Sequence, residues 1–98
     1  MHLFYKMATR ERWAKFGVYE QLLGIIAELE RARLCEEQND HENRVASLAR
    51  ALELVDFSLD DPRWHGNTLM LFKLRDAIAE RYAIEGKGPS MRALLEVL

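Results

Sequence analysis

One cysteine, two prolines and five glycines are all that this chain of 98 residues holds of the residue types that staple, break or loosen a backbone. A lone Cys35 cannot close an intrachain disulfide, which excludes a cross-linked secreted scaffold and points to a reducing, cytoplasmic setting. No charge of one sign dominates: 14 Lys and Arg against 16 Asp and Glu leave a formal net charge of −2, so no positive field gathers nucleic acid. The longest apolar run, Leu22 to Ala27, is far shorter than the roughly 20 residues that cross a bilayer, and membrane insertion is not expected. Met1-His2-Leu3-Phe4-Tyr5-Lys6 carries no extended apolar segment of the secretory kind. What is present, 49% apolar and 31% charged residues, suits one domain over residues 1–98 and leaves no room for a second core.

The segments between the breaks are rich in Leu, Ala, Glu and Arg, which is helical composition. From Thr9 the apolar residues Trp13, Phe16, Tyr19, Leu22, Leu23, Ile26 and Leu29 recur at intervals of three and four, predicting a first long helix near 9–36. Asn39 and Glu42 have the spacing of a reciprocal cap, and a second helix is expected near 42–59, carrying Val45, Leu48, Ala49, Leu52, Val55 and Leu59 on one face. Asp60-Asp61-Pro62 ends it. A third helix near 64–84 places Leu69, Phe72, Ile78, Ala79 and Tyr82 on one side, with Leu71 and Leu74 beside them. After the breaker Gly86-Lys87-Gly88-Pro89-Ser90, the stripe Met91, Leu94, Leu95 and Leu98 forms a short terminal helix. No long strand-like alternation occurs. The expected fold is therefore all-α: an antiparallel up-and-down bundle of three long helices and a short C-terminal one.

Catalytic constellations are scarce. His2, His41 and His65 lie at the N-terminus and beside the two turns, without the i, i+3 or i, i+4 partners that a metal site on a helix needs. Asp40 and Glu42 flank His41, an arrangement that helix capping explains. Cys35 has only His41 as a candidate base and reads as a packing or surface thiol. Arg63-Trp64-His65 is too tightly spaced for the arginine and histidine pair of helical nucleases. Gly86-Lys87-Gly88 lacks the strand and spacing of a phosphate loop. Neither a cofactor nor an enzymatic activity is expected.

Two features rise above this background. Gly17 and Gly24 lie two turns apart within the first expected helix, where each costs roughly 1 kcal/mol relative to alanine, and with Gln21 and Ala27 they make a narrow face. That face either packs closely against another helix of the same chain or forms a groove for a partner helix. In the second case Gly17 and Gly24 thin the surface, while Tyr19, Leu23 and Ile26 supply apolar contacts beside it. The other feature is an excess of large apolar residues. Trp13, Phe16, Tyr19, Phe57, Trp64, Phe72 and Tyr82, with Leu3, Phe4 and Tyr5, exceed what so small a bundle can enclose.

In the middle of the chain, Asn39-Asp40 is followed by Leu48-Ala49-Arg50-Ala51, Leu54-Val55 and Ser58-Leu59-Asp60, then by Gly66-Asn67 and Leu69-Met70-Leu71-Phe72. This order resembles the FliS family of flagellar export chaperones over residues 9–85. In that family an acidic turn leads into Leu-x-Lys/Arg-Ala, paired aliphatics and Ser/Thr-Leu-Asp, and the next helix opens with glycine and asparagine ahead of Leu-x-x-Leu-Tyr. Phe72 stands here where the family has tyrosine, and the family's long last helix is matched by Ser90–Leu98 alone. The resemblance implies a small helical bundle in the cytoplasm that holds the C-terminal segment of flagellin, or of another export substrate, and prevents premature polymerisation. The competing expectation, drawn from the open apolar surface, is a regulatory or self-associating protein that uses that surface as a homodimer interface.

Overall fold

The computed structural model of the protein describes residues 10–83, and within them all regular structure is helical. The elements are α1 (Arg10–Ala14), α2 (Val18–Glu37), α3 (His41–Leu59), a 3-10 segment (Pro62–Asn67) and α4 (Thr68–Ala83). The expected stub at 90–98 and the aromatic residues at 4 and 5 lie outside the described residues. The all-α expectation holds.

The long first helix does not run unbroken. It stops at Ala14, passes through tight turns in which the Lys15 and Phe16 amides donate to the Arg12 and Trp13 carbonyls (both 3.1 Å), and restarts at Val18. Gly17 is the N-cap of α2 in an extended conformation, and its amide donates to the Glu20 carboxylate at 2.9 Å. The interruption has a tertiary cause. It lets α1 fold back so that Trp13 is buried, with its indole N–H donating to Ser58 Oγ at 2.9 Å. Arg10, the first residue of α1, reinforces the docking by pairing with Asp60 at 3.0 Å and lying over the Phe57 ring.

The connection from α2 to α3 is built from backbone geometry. Asn39 adopts a left-handed φ of 58°, which Asn tolerates better than most residues, and its amide donates to the Glu36 carbonyl while the Asp40 amide reaches the Cys35 carbonyl. This double closure satisfies the Cys35 and Glu36 carbonyls in the last turn of α2. Asp40, not Asn39, then caps α3 by accepting from the Asn43 amide at 3.3 Å. At the other end of α3, Asp61 accepts from the Arg63 amide at 3.0 Å, and Pro62 opens the 3-10 segment, so the expected stop is also a start.

Cross-helix bonds give the directions. Gln21 reaches Asp61 and Glu28 reaches Arg50, so α2 and α3 are antiparallel. Trp64 meets Gln21 near the start of α2 and Arg81 meets Glu36 near its end, so α4 runs alongside α2 and against α3. Arg75 pairs with Asp56 at 2.6 Å across the α3–α4 seam. Ile25, Leu29 and Ala32 of α2, Leu48, Ala51, Leu54 and Val55 of α3, and Leu71, Leu74 and Ile78 of α4 fill the interior, closed at one end by Trp13 and Trp64. On α4 this corrects the expected phase: Leu71, Leu74 and Ile78 point inward, whereas Leu69 and Phe72 point out.

Candidate functional site

Exposed apolar surface is what the bundle leaves over. On α2, Tyr19 is 71% exposed and Leu23 and Leu34 are exposed, with half-buried Ile26 between them. These residues follow each other at intervals of four, three and eight, so they lie along the outer side of one helix over about 22 Å. Glu30 interrupts the stripe, and Arg33 is engaged by Glu30 at 2.9 Å and Glu37 at 2.6 Å at its C-terminal end. On α4, Leu69 and Phe72 are exposed over half their surface, and Tyr82 is exposed as well. The excess of large apolar residues thus divides in a definite way. Both tryptophans go inside, Phe16 and Phe57 are half-buried, and Tyr19, Phe72 and Tyr82 remain outside.

The five residues expected to line a groove separate in the structure. Tyr19, Leu23 and Ile26 belong to the outer stripe of α2. Gly17 is no longer two turns along a helix from Gly24, because it caps that helix. Gly24 lies beneath the Trp13 indole: a Cβ built there would meet Cη2 at 2.7 Å and Cζ3 at 3.2 Å. The small face at Gly24 is therefore occupied from within the chain, and its glycine answers to the close approach of α1. Leu34, Leu69 and Phe72 were not singled out as contact residues. Their signal in the sequence is an apolar residue out of phase with the buried positions, visible only once those positions are known.

Beneath Trp13 the polar groups form one buried knot. Gln21 is fully buried; its amide nitrogen donates to the Trp13 carbonyl (3.0 Å), to Asp61 Oδ2 (3.2 Å) and at longer range to the Phe16 carbonyl (3.4 Å), while its Oε1 accepts from the Trp64 indole at 2.6 Å. Arg63 donates to Asp61 and to the Ala14 and Phe16 carbonyls, both at 2.8 Å, and so satisfies the carbonyls that the break after α1 sets free. The Arg63 guanidinium, more than any other group, holds the Asp61 carboxyl far below the usual carboxylate range. These groups are consumed by structure.

Burial, aided by the charge of Asp40, pushes the Cys35 thiol up, so it is protonated at neutral pH and is a poor nucleophile. Among the described residues no group of three or more His, Cys, Asp or Glu converges as a metal site, and no helix is long and apolar enough to cross a membrane. No protein-family model, curated protein or solved structure matches this chain.

Proposed function

We propose that this chain is a helical binding protein whose exposed apolar stripe on α2 holds an amphipathic segment of another protein, in the manner of a FliS-like flagellar export chaperone. The observation that carries the reading is the stripe itself: Tyr19, Leu23 and Leu34 stay in water although the interior beside them is filled. Its mechanism is burial without chemistry. Covering the exposed part of each of these side chains contributes roughly 1 kcal/mol, enough together for about a hundredfold in affinity before ordering costs. The resemblance in the order of motifs between residues 39 and 72 supports flagellin's C-terminal segment as the occupant to try first.

The second reading, a homodimer, draws on the same stripe, because Tyr19 and Leu34 lie at its two ends and two antiparallel copies of α2 would bring one against the other. Light scattering of the protein alone and with a flagellin C-terminal fragment separates the two. A 1:1 complex that is weakened at least tenfold by Tyr19→Ser with Leu23→Ser, at unchanged thermal stability, supports the chaperone reading. A dimer without the fragment, broken by the same changes, supports the second. A monomer that ignores the fragment and is indifferent to the changes refutes both.

A further inference from the structure

The apolar stripe of α2 is broken at one place by a charge. Glu30 stands four residues after Ile26 and four before Leu34, so its carboxylate lies on the line of the stripe and not at its edge. It is exposed and pairs with Arg33, whose Nε donates to it at 2.9 Å. That guanidinium is shared. Its Nη1 donates to Glu37 at 2.6 Å, and among the described residues neither carboxylate has another cation. The neighbouring charges of the helix are directed elsewhere, Arg31 to buried Glu28 and Glu36 to Arg81. The last turn of α2 holds no basic residue, although the C-terminal end of a helix favours cations. Two carboxylates on one guanidinium leave one negative charge over, in a place that anything lying along the stripe must cover.

We infer that the occupant of the stripe is an amphipathic helix of another protein whose apolar face carries a single lysine or arginine, set opposite Glu30. The inference rests on the reading of the stripe as a binding surface and adds the chemistry of what it takes. Apolar residues of that helix cover Tyr19, Leu23 and Ile26 on one side of the charge and Leu34 on the other. Its cation gives Glu30 a partner of its own and leaves Arg33 to Glu37. A wholly apolar helix would take the Glu30 carboxylate out of water without returning a cation, and an acidic one would add repulsion, so the charge selects among helices that the stripe alone would accept. A second copy of this chain is disfavoured on the same ground. The antiparallel register that sets Tyr19 on Leu34 lays Leu23 on Glu30 and brings no cation there.

The test uses the whole chain and three synthetic helical peptides. Each peptide has leucines along one face and alanine and glutamine elsewhere, and the three differ in one residue set among the leucines: lysine, norleucine or glutamate. Binding is followed by the fluorescence anisotropy of a label on the peptide. The lysine peptide should bind about tenfold more tightly than the glutamate peptide at low ionic strength, with norleucine between them, and the gap should narrow as salt is raised. Glu30→Gln should remove the preference for lysine, while Leu23→Ser should weaken all three peptides alike. If the parent binds the three equally and Leu23→Ser still weakens them, the charge inference is overturned and the stripe stands as a binding surface. If none binds, or if binding ignores Leu23→Ser, the reading of the stripe fails and the inference fails with it. A dimer of the parent that the lysine peptide does not dissociate also overturns it. Glu30 is exposed, so Glu30→Gln should fold like the parent by circular dichroism; should it not, the order of the three peptides on the parent decides.

Discussion

Replacing Gln21 by glutamate exchanges an amide nitrogen for an oxygen at constant shape, in a place where every neighbour of that nitrogen is an acceptor. The Trp13 carbonyl at 3.0 Å, Asp61 Oδ2 at 3.2 Å and the Phe16 carbonyl at 3.4 Å would each face an oxygen instead of a donor. At the Asp61 separation two unit charges repel by about 5 kcal/mol for an effective dielectric of 20, and the adjacent Arg63 guanidinium offsets part of this. Adding the lost hydrogen bonds gives an expected destabilisation of about 3–5 kcal/mol at pH 7 for Gln21→Glu. The cost depends on pH in a particular direction. The introduced carboxyl has a folded-state pKa raised above its unfolded value near 4.3, so between the two values the folded state binds more protons. Stability of the variant therefore falls as pH rises from about 4.3, by up to about 1.4 kcal/mol per unit, and levels off above the raised value. Gln21→Leu, which also orphans the Trp64 indole, should lose about 2–4 kcal/mol without that slope. Urea denaturation followed by far-ultraviolet circular dichroism from pH 4.5 to 7.5 measures both. A Gln21→Glu protein whose stability parallels the parent over this range, or differs by less than about 1 kcal/mol, would refute the assignment of the buried amide.

Gly24→Leu should overpack the contact with Trp13 and cost roughly 1–3 kcal/mol in thermal or urea melts; a protein as stable as the parent would mean that α1 does not sit on this face. Asp61→Asn should flatten acid unfolding. The parent's Asp61 carboxyl is depressed, so its contribution is present above the unfolded value near 3.9 and is lost as pH falls below it, whereas the variant lacks that loss; equal acid midpoints would contradict the Asp61–Arg63 pair.

The bounds of α3 were legible to within a residue of its start because Asp40 and Asp61-Pro62 flank it, but its face was not: of the expected Val45, Leu48, Ala49, Leu52, Val55 and Leu59 only Leu48 and Val55 are buried and Ala49 is exposed, because Ala51, Leu54 and Ser58 on the neighbouring side meet α2 and Trp13 instead. The break after Ala14 was not legible either, since its cause lies in residues distant along the chain, Gly24 and Ser58, which receive Trp13. A local trace existed in Gly17 and Glu20, a cap and its third helical residue, but an unbroken apolar period through Trp13, Phe16 and Tyr19 outweighed it. On α4 both the inner stripe of Leu71, Leu74 and Ile78 and the outer pair Leu69 and Phe72 are apolar, and periodicity alone cannot choose between two apolar faces. The sequence did name Tyr19, Leu23 and Ile26, and it left Gly24 between intrachain packing and a groove.

The chain has two tryptophans, and both belong to the one knot around Gln21, with their indole N–H groups committed to Ser58 and Gln21. Optically the molecule is therefore lopsided. Its fluorescence is governed by the end where α1, the start of α2 and the 3-10 segment meet, while the opposite end, joined by the Arg81–Glu36 pair, contributes no indole signal. A fluorescence melt that overlays the dichroism melt would establish that the two ends lose structure together, and a melt that runs ahead of it would register α1 lifting from Gly24 while the three long helices still stand.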